Sequence, residues 1–354
     1  MVLTREAVFA WLLYLVLLFC DANGNVIHRT TLSPGQNGRT VSPAQNGTTL
    51  SPDQKNWNLL ARHMQGNITE RTSNRKLNVF SKILLANIKA RSKVGRTDDN
   101  VFLYQGDIKI SPADMRRLTA RNGNKGRTKR ALASDRTLLW QSPIYYDFHP
   151  DLNSDARQAI ASAITEWESV LPCIQWVRGK TYTSHQGYLY FIEGDGCYSY
   201  EGISGENEQE ISIGIGCEDH GTAVHEIAHA LGIGHEQSRP DRDQYVQIQW
   251  DNIIPSFKFN FEKSDQSDVD SLGQPYDFDS VMHYGPYDFT KQDGLKTIVS
   301  LVPGKVFGDK PNLSANDVVQ ARLLYNCTTG TSVTPPLPTT TSPGGSGSGV
   351  GPSG

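Results

Sequence analysis

Residues 225–236 read His225-Glu226-Ile227-Ala228-His229-Ala230-Leu231-Gly232-Ile233-Gly234-His235-Glu236. On a helix His225 and His229 lie one turn apart on one face, so both rings reach a single metal ion. Glu226 projects beside them, placed to take a proton from an attacking water rather than to bind the metal. Gly232 can enter the left-handed conformation that ends a helix, turning the chain back and bringing in His235 as a third ligand. Three imidazoles and one open position describe a catalytic zinc site, not a closed structural one. Five specified positions at fixed spacing separate this pattern from a helix with incidental histidines.

The rest of the chain divides by charge. Its 354 residues leave room for one large domain or two ordinary ones plus tails, and 37% hydrophobic residues is low for one globule throughout. The net charge of -3 conceals an asymmetry: residues 61–130 hold 17 Lys/Arg against 5 Asp/Glu, and residues 131–354 hold 13 against 29. A basic segment before an acidic domain suggests two parts that attract each other before separation. The acidic balance of the larger part gives no reason to expect a nucleic-acid partner.

At the N-terminus Arg5 precedes an apolar run of 14 residues, Ala7 to Cys20. That length suits a signal peptide and is short for a membrane span of ~20 residues, so residues 1–22 are expected to direct secretion and be removed. Four cysteines then remain, Cys173, Cys197, Cys217 and Cys327. An even count in an exported protein favours two disulfides, with three connectivities open. Sequons at Asn46, Asn67, Asn312 and Asn326 fit the same extracellular compartment.

Residues 23–56 repeat Ser-Pro at 33, 42 and 51 without any recurring apolar position, and read as a disordered leader. Leu77, Phe80, Ile83, Leu84 and Ile88 recur at helical spacing. Asn100 to Ser111 is an extended apolar segment interrupted by Gly106-Asp107. Arg127-Thr128-Lys129-Arg130 is a dibasic site suited to a furin-like processing protease, which would leave Ala131 as a new N-terminus. Beyond it, Leu138–Trp140 with Ile144–Phe148 reads as a strand, and a helix follows under a cap at Asn153 or Ser154. Tyr188–Ile192 and Glu210–Ile215 read as further strands. Residues 241–310 lose all periodicity, and a last helix follows a Ser314 cap. The fold class expected is therefore α+β: a mixed sheet with helices, then an irregular subdomain closed by a terminal helix. From Thr328 onward Thr, Pro, Gly and Ser form a flexible tail.

Four features resemble the astacin family of metzincin metalloproteases: Glu236 directly after the third His, Ser280-Val281-Met282-His283-Tyr284, the order of the four cysteines, and a Gly-Asp motif in the segment before the domain. The resemblance covers residues ~100–327. It implies a zincin-like catalytic domain over 131–327 behind a prosegment over 23–130. It implies zinc on His225, His229 and His235, with Glu226 as general base. Met282 would form the floor under the metal, and Tyr284 would be a further, switchable ligand and oxyanion donor. Asp107, in Tyr104-Gln105-Gly106-Asp107 where the family has Phe first, would bind zinc only in the zymogen. The freed Ala131 amine would approach Glu236. The family pattern implies the pairs Cys173–Cys327 and Cys197–Cys217, and substrates that are proteins or peptides. It also implies a taste for acidic residues after the scissile bond, for which no single basic residue stands out; Lys291 and Arg242 lie nearest the motifs. The rival from another class is a catalytically silent secreted binding or matrix glycoprotein; the intact Glu226 and three histidines weigh against it. A different metzincin branch is opposed by Glu236 and Tyr284.

Overall fold

The structure, a computed structural model, describes residues 77–92, 101–110, 136–183, 186–264, 271–308 and 310–327, with isolated positions Lys55 and Asn58. Apart from Lys55, the leader lies outside the described residues, as do residues 1–22, the dibasic site with Ala131, the tail, Asn46 and Asn67.

The first helix, α1 (Val79–Arg91), starts where Asn78 accepts a hydrogen bond from the Ser81 amide at 2.7 Å. Two short strands follow, β1 (Phe102–Tyr104) and β2 (Ile108–Ile110), joined by a turn over Gln105–Asp107. Gln105 and Gly106 are both left-handed there, at φ 50° and 90°. A Cβ on Gly106 would meet Phe80 at 2.9 Å, so this turn needs glycine on two counts.

The next described element is a turn of 3-10 helix at Arg136–Leu138, where the sequence suggested an early start to a strand. The strand is β3 (Ile144–Phe148) alone, since cis Pro143 sits directly before it and lacks an N–H to continue the ladder. Helix α2 (Ser154–Val170) is capped by Asn153, whose side chain accepts from the Ala156 amide at 2.8 Å. Then come β4 (Trp176–Arg178), β5 (Tyr188–Ile192), β6 (Cys197–Ser199) and β7 (Glu208–Ile213). Together with the hairpin they form one mixed seven-stranded sheet in the order β1-β2-β6-β7-β5-β3-β4. The central pairs β3/β5 and β5/β7 are parallel, β6/β7 is antiparallel, and β2 lies parallel to β6.

Helix α3 (His220–Ala230) carries the metal motif. Its glycine, threonine and histidines are poor helix formers, and at 11 residues it is shorter than the ~12–15 an isolated helix needs. Packing holds it: every residue from Gly221 to Ala230 is buried. Val224 and Ile227 join Leu189, Phe191, Ile211 and Ile213 of the sheet and Ile160, Ala163 and Trp167 of α2 in one core. Each Val, Leu, Ile or Phe among them contributes about 1.5–3 kcal/mol on burial.

After α3 the chain is largely 3-10 turns, with one two-stranded ribbon of β8 (Val246–Ile248) and β9 (Ile298–Ser300). Aromatic residues Phe257, Phe261, Tyr276, Phe278 and Phe289 build a second core here. Helix α4 (Ala315–Leu324) closes the domain behind a capping box of Ser314 and Asp317. The expected α+β architecture is present, the irregular half having more 3-10 turns and one more ribbon than its sequence suggested. Disulfides join Cys173 to Cys327 and Cys197 to Cys217.

Candidate metal centre

Helix α3 ends in a Schellman turn: the Gly232 amide donates to His229 O at 2.8 Å and the Ile233 amide to Ala228 O at 3.0 Å, with Gly232 at φ 88°. The last carbonyls are also covered, Ala230 by the Trp140 indole N–H at 2.8 Å and Leu231 by the Tyr325 hydroxyl at 3.0 Å. This turn swings His235 back over the two helical histidines, and all three are buried.

Each ring is fixed through Nδ1, which donates to an oxygen: His225 to Val281 O at 2.9 Å, His229 to Ile233 O at 2.9 Å and His235 to the Gln105 side chain at 2.8 Å. That leaves the three Nε2 lone pairs pointing inward. Asp107 enters the same space, its Oδ2 lying 2.9, 3.6 and 3.4 Å from Nε2 of His225, His229 and His235. All four ligand atoms fall within 4.8 Å of one another. Lone pairs and a carboxylate oxygen facing one another in a dry site repel unless a cation lies among them. Ligands about 2.0–2.1 Å from a tetrahedral centre lie about 3.3 Å apart, so the observed spacing fits one zinc ion held by three nitrogens and one oxygen. Burial pushes His229 down and His235 to about 3, so these two imidazoles stay neutral and able to ligate.

Glu226 stands beside the cage with both oxygens buried and without a hydrogen-bond partner among the described residues. Burial, and then the charge of Asp107, push it well above the ordinary carboxylate value. Met282 is buried behind the site, and its carbonyl accepts from the Glu236 amide at 3.2 Å. The loop around it is tied to α4: Asp317 accepts from the Ser280 hydroxyl at 2.7 Å and the Val281 amide at 3.1 Å. Val281 is the residue whose carbonyl orients His225, so the terminal helix reaches the candidate metal cage through a single residue.

The Tyr284 ring lies 4.9 Å from that of His235, and its hydroxyl is engaged by the turn before Asp107. It donates to Gln105 O, while the ring stacks on Phe80 at 3.8 Å. Glu236 is bonded to the Arg239 guanidinium at 3.0 Å and the Asp277 amide at 2.7 Å. Asn312 and Asn326 are exposed, and the Asn312 amide donates to Glu166 at 3.2 Å. Arg242 is committed to Gln237 O at 2.9 Å and Asp243 at 3.1 Å, and Lys291 is exposed.

Four residues have roles at the site that escaped the sequence reading. Phe80, Gln105 and Asn87 belong to the segment before the domain. Asn87 donates to Gly106 O and Cys197 O, both at 2.9 Å, and accepts from the Cys197 amide at 2.6 Å, pinning α1 to both the turn and β6. The fourth, Asp317, carried only a capping signal. None has a spacing motif; only the helical period that buries Phe80 was visible.

Residues 132–326 match the family model described as Astacin, a peptidase family. The chain belongs to the astacin family. It is 37% identical over 228 residues to meprin A subunit alpha of Mus musculus, covering 64% of this chain and 28% of that protein. It is 34% identical over 241 residues to the zinc metalloproteinase nas-13 of Caenorhabditis elegans, covering 66% and 52%. The chain thus spans between about a quarter and a half of those relatives. Among solved structures it resembles high choriolytic enzyme 1, a hatching enzyme zinc-protease from Oryzias latipes, at 33% identity and a TM-score of 0.50 over 55% of this chain and 97% of that one. The described residues hold an astacin metalloprotease domain with a histidine cluster able to take a metal, and no helix among them is long and apolar enough to cross a membrane.

Proposed function

We propose that this astacin is a secreted zinc endopeptidase made as a latent precursor. The reading is carried by one observation: the Asp107 carboxylate, from the segment ahead of the domain, stands at the fourth corner of the His225, His229 and His235 cage. Zinc in that cage would acidify a water and polarise the scissile carbonyl. Glu226, held dry and unpaired beside it, is placed to take the proton from the attacking water and pass it to the leaving amine. Tyr284 would be released when the Gln105 carbonyl leaves, and its hydroxyl could then donate to the developing oxyanion.

The chain divides accordingly into signal peptide (1–22), prosegment (23–130), protease domain (131–327) and tail (328–354). Cleavage after Arg130 by a furin-like protease would start the mature enzyme at Ala131, with its amine directed to Glu236. Two ion pairs support docking of a basic prosegment on an acidic domain, Lys82 to Asp219 at 3.1 Å and Lys109 to Glu210 at 2.7 Å. N-glycans at Asn46, Asn67, Asn312 and Asn326 fit secretion. Cleavage of casein by the processed chain tests the assignment: Glu226→Gln with zinc bound is expected to abolish it, and unchanged cleavage would sink the mechanism. N-terminal sequencing of the secreted product checks Ala131.

A further inference from the structure

Strand β2 lies on the outer edge of β6, with Ile108 opposite Ser199 and the Ser199 amide donating to Asp107 O at 3.2 Å. The prosegment therefore occupies the edge of the sheet that, once vacated, offers N–H and C=O groups to another extended chain. Asp107 marks the position over the metal. Two residues further, about 7 Å along an extended strand, Lys109 points to the same side of β2 as the sheet face bearing Tyr198 and Tyr200.

Lys109 does not lie loose on the surface. Its ammonium is 2.7 Å from Glu210 of β7, 5.0 Å from the centre of the Tyr200 ring and 5.8 Å from that of Tyr198, and the side chain is only 14% exposed. The sheet register makes this cup. Ser199 pairs with Ile211, so the next residues, Tyr200 and Glu210, lie across from one another, and Tyr198 sits two along on the same face. The Tyr200 hydroxyl donates to Glu206 at 3.2 Å, adding a second carboxylate behind the ring. A carboxylate flanked by two aromatic faces selects a cation over a neutral side chain and rejects an anion.

We propose that Tyr198, Tyr200 and Glu210 form a subsite for a Lys or Arg side chain of the substrate, with Lys109 as its occupant in the uncleaved chain. The proposal rests on the endopeptidase reading above. Whichever way a substrate runs along β6, the cup lies about two residues from the residue over the metal, so the preference falls at one such position rather than at the scissile bond itself.

The processed chain is profiled with peptides carrying Lys, Arg, Ala or Glu at each of three positions either side of the scissile bond. One position two or three residues away is expected to favour Lys or Arg over Ala by about tenfold or more in kcat/KM. Glu210→Gln should reduce that ratio to below about threefold, and Glu210→Lys should favour Glu there. A second arm reads binding without turnover, using the Glu226→Gln chain loaded with zinc and the synthetic peptide 101–111. Lys109→Ala in the peptide is expected to weaken binding about tenfold against Glu210 and not at all against Glu210→Gln. Cleavage with no basic preference, or one that survives Glu210→Gln, overturns the subsite and leaves the protease standing. No cleavage of any peptide, with the Lys109–Glu210 coupling intact, overturns the protease reading and leaves a cation-binding cup. Thermal unfolding of both Glu210 variants shows whether a lost ratio reflects a lost fold.

Discussion

Gln105 makes two contacts that keep the cage shut, its side chain accepting from His235 Nδ1 and its carbonyl from the Tyr284 hydroxyl. Only the first depends on the side chain. Gln105→Ala in the uncleaved chain is therefore expected to weaken zinc retention about tenfold, the low end for loss of an outer partner of a ligand histidine. Chelator competition measures it, and the processed chain, identical in both cases, serves as the control. His283 gives a different residue-scale expectation. Burial holds it at about 4, while Nδ1 donates to Tyr284 O and Nε2 accepts from the Tyr276 hydroxyl, both at 2.7 Å. Between there and an unfolded value of about 6.5, the unfolded chain carries a proton the folded one lacks, so stability rises with pH by at most about 3 kcal/mol across that window. Asp317, pushed up to about 6 by burial, works in the opposite direction over part of the same range. Urea unfolding at pH 4.5 and 7 should accordingly show a smaller acid loss in His283→Gln than in the wild type.

At the scale of elements, the turn after α3 and the tether from α4 set the geometry of the cage. Gly232→Ala would place a Cβ in a left-handed residue at a cost of about 1–2 kcal/mol, and relaxation of that strain would move His235. Lower zinc affinity together with a lower unfolding midpoint is the expected signature. Asp317→Ala removes a capping box and two bonds to the Met282 loop, with an expected loss of about 2–3 kcal/mol by urea unfolding. These elements differ in how much of them the sequence exposes. The His225–His235 spacing, the Gly232 turn and the caps at Asn153 and Ser314 are local, set by residues within a turn or two, and could be read directly. Gln105 over His235 and Asp317 under Val281 join residues far apart in the chain, and no periodicity encodes such a meeting. Leu138–Trp140 misled because an apolar run fits a strand equally well, and the competing 3-10 turn is decided by packing against the C-terminal carbonyls of α3 and α4.

At the scale of the whole molecule, the disulfide from Cys173 to Cys327 closes 154 residues, enclosing the metal helix and the irregular half. Replacing both cysteines by serine is expected to cost about 5 kcal/mol on loop entropy, read as the shift in chemical unfolding. The hairpin of β1 and β2 raises a different matter. While it belongs to the same chain as the cage, its local concentration is fixed by the tether, at roughly millimolar or above. A cut between the hairpin and Arg136 would turn an internal equilibrium into one between two molecules. Activation would then be a matter of dilution, with freshly cut protein held back by its own released segment at high concentration and gaining specific activity as it is thinned.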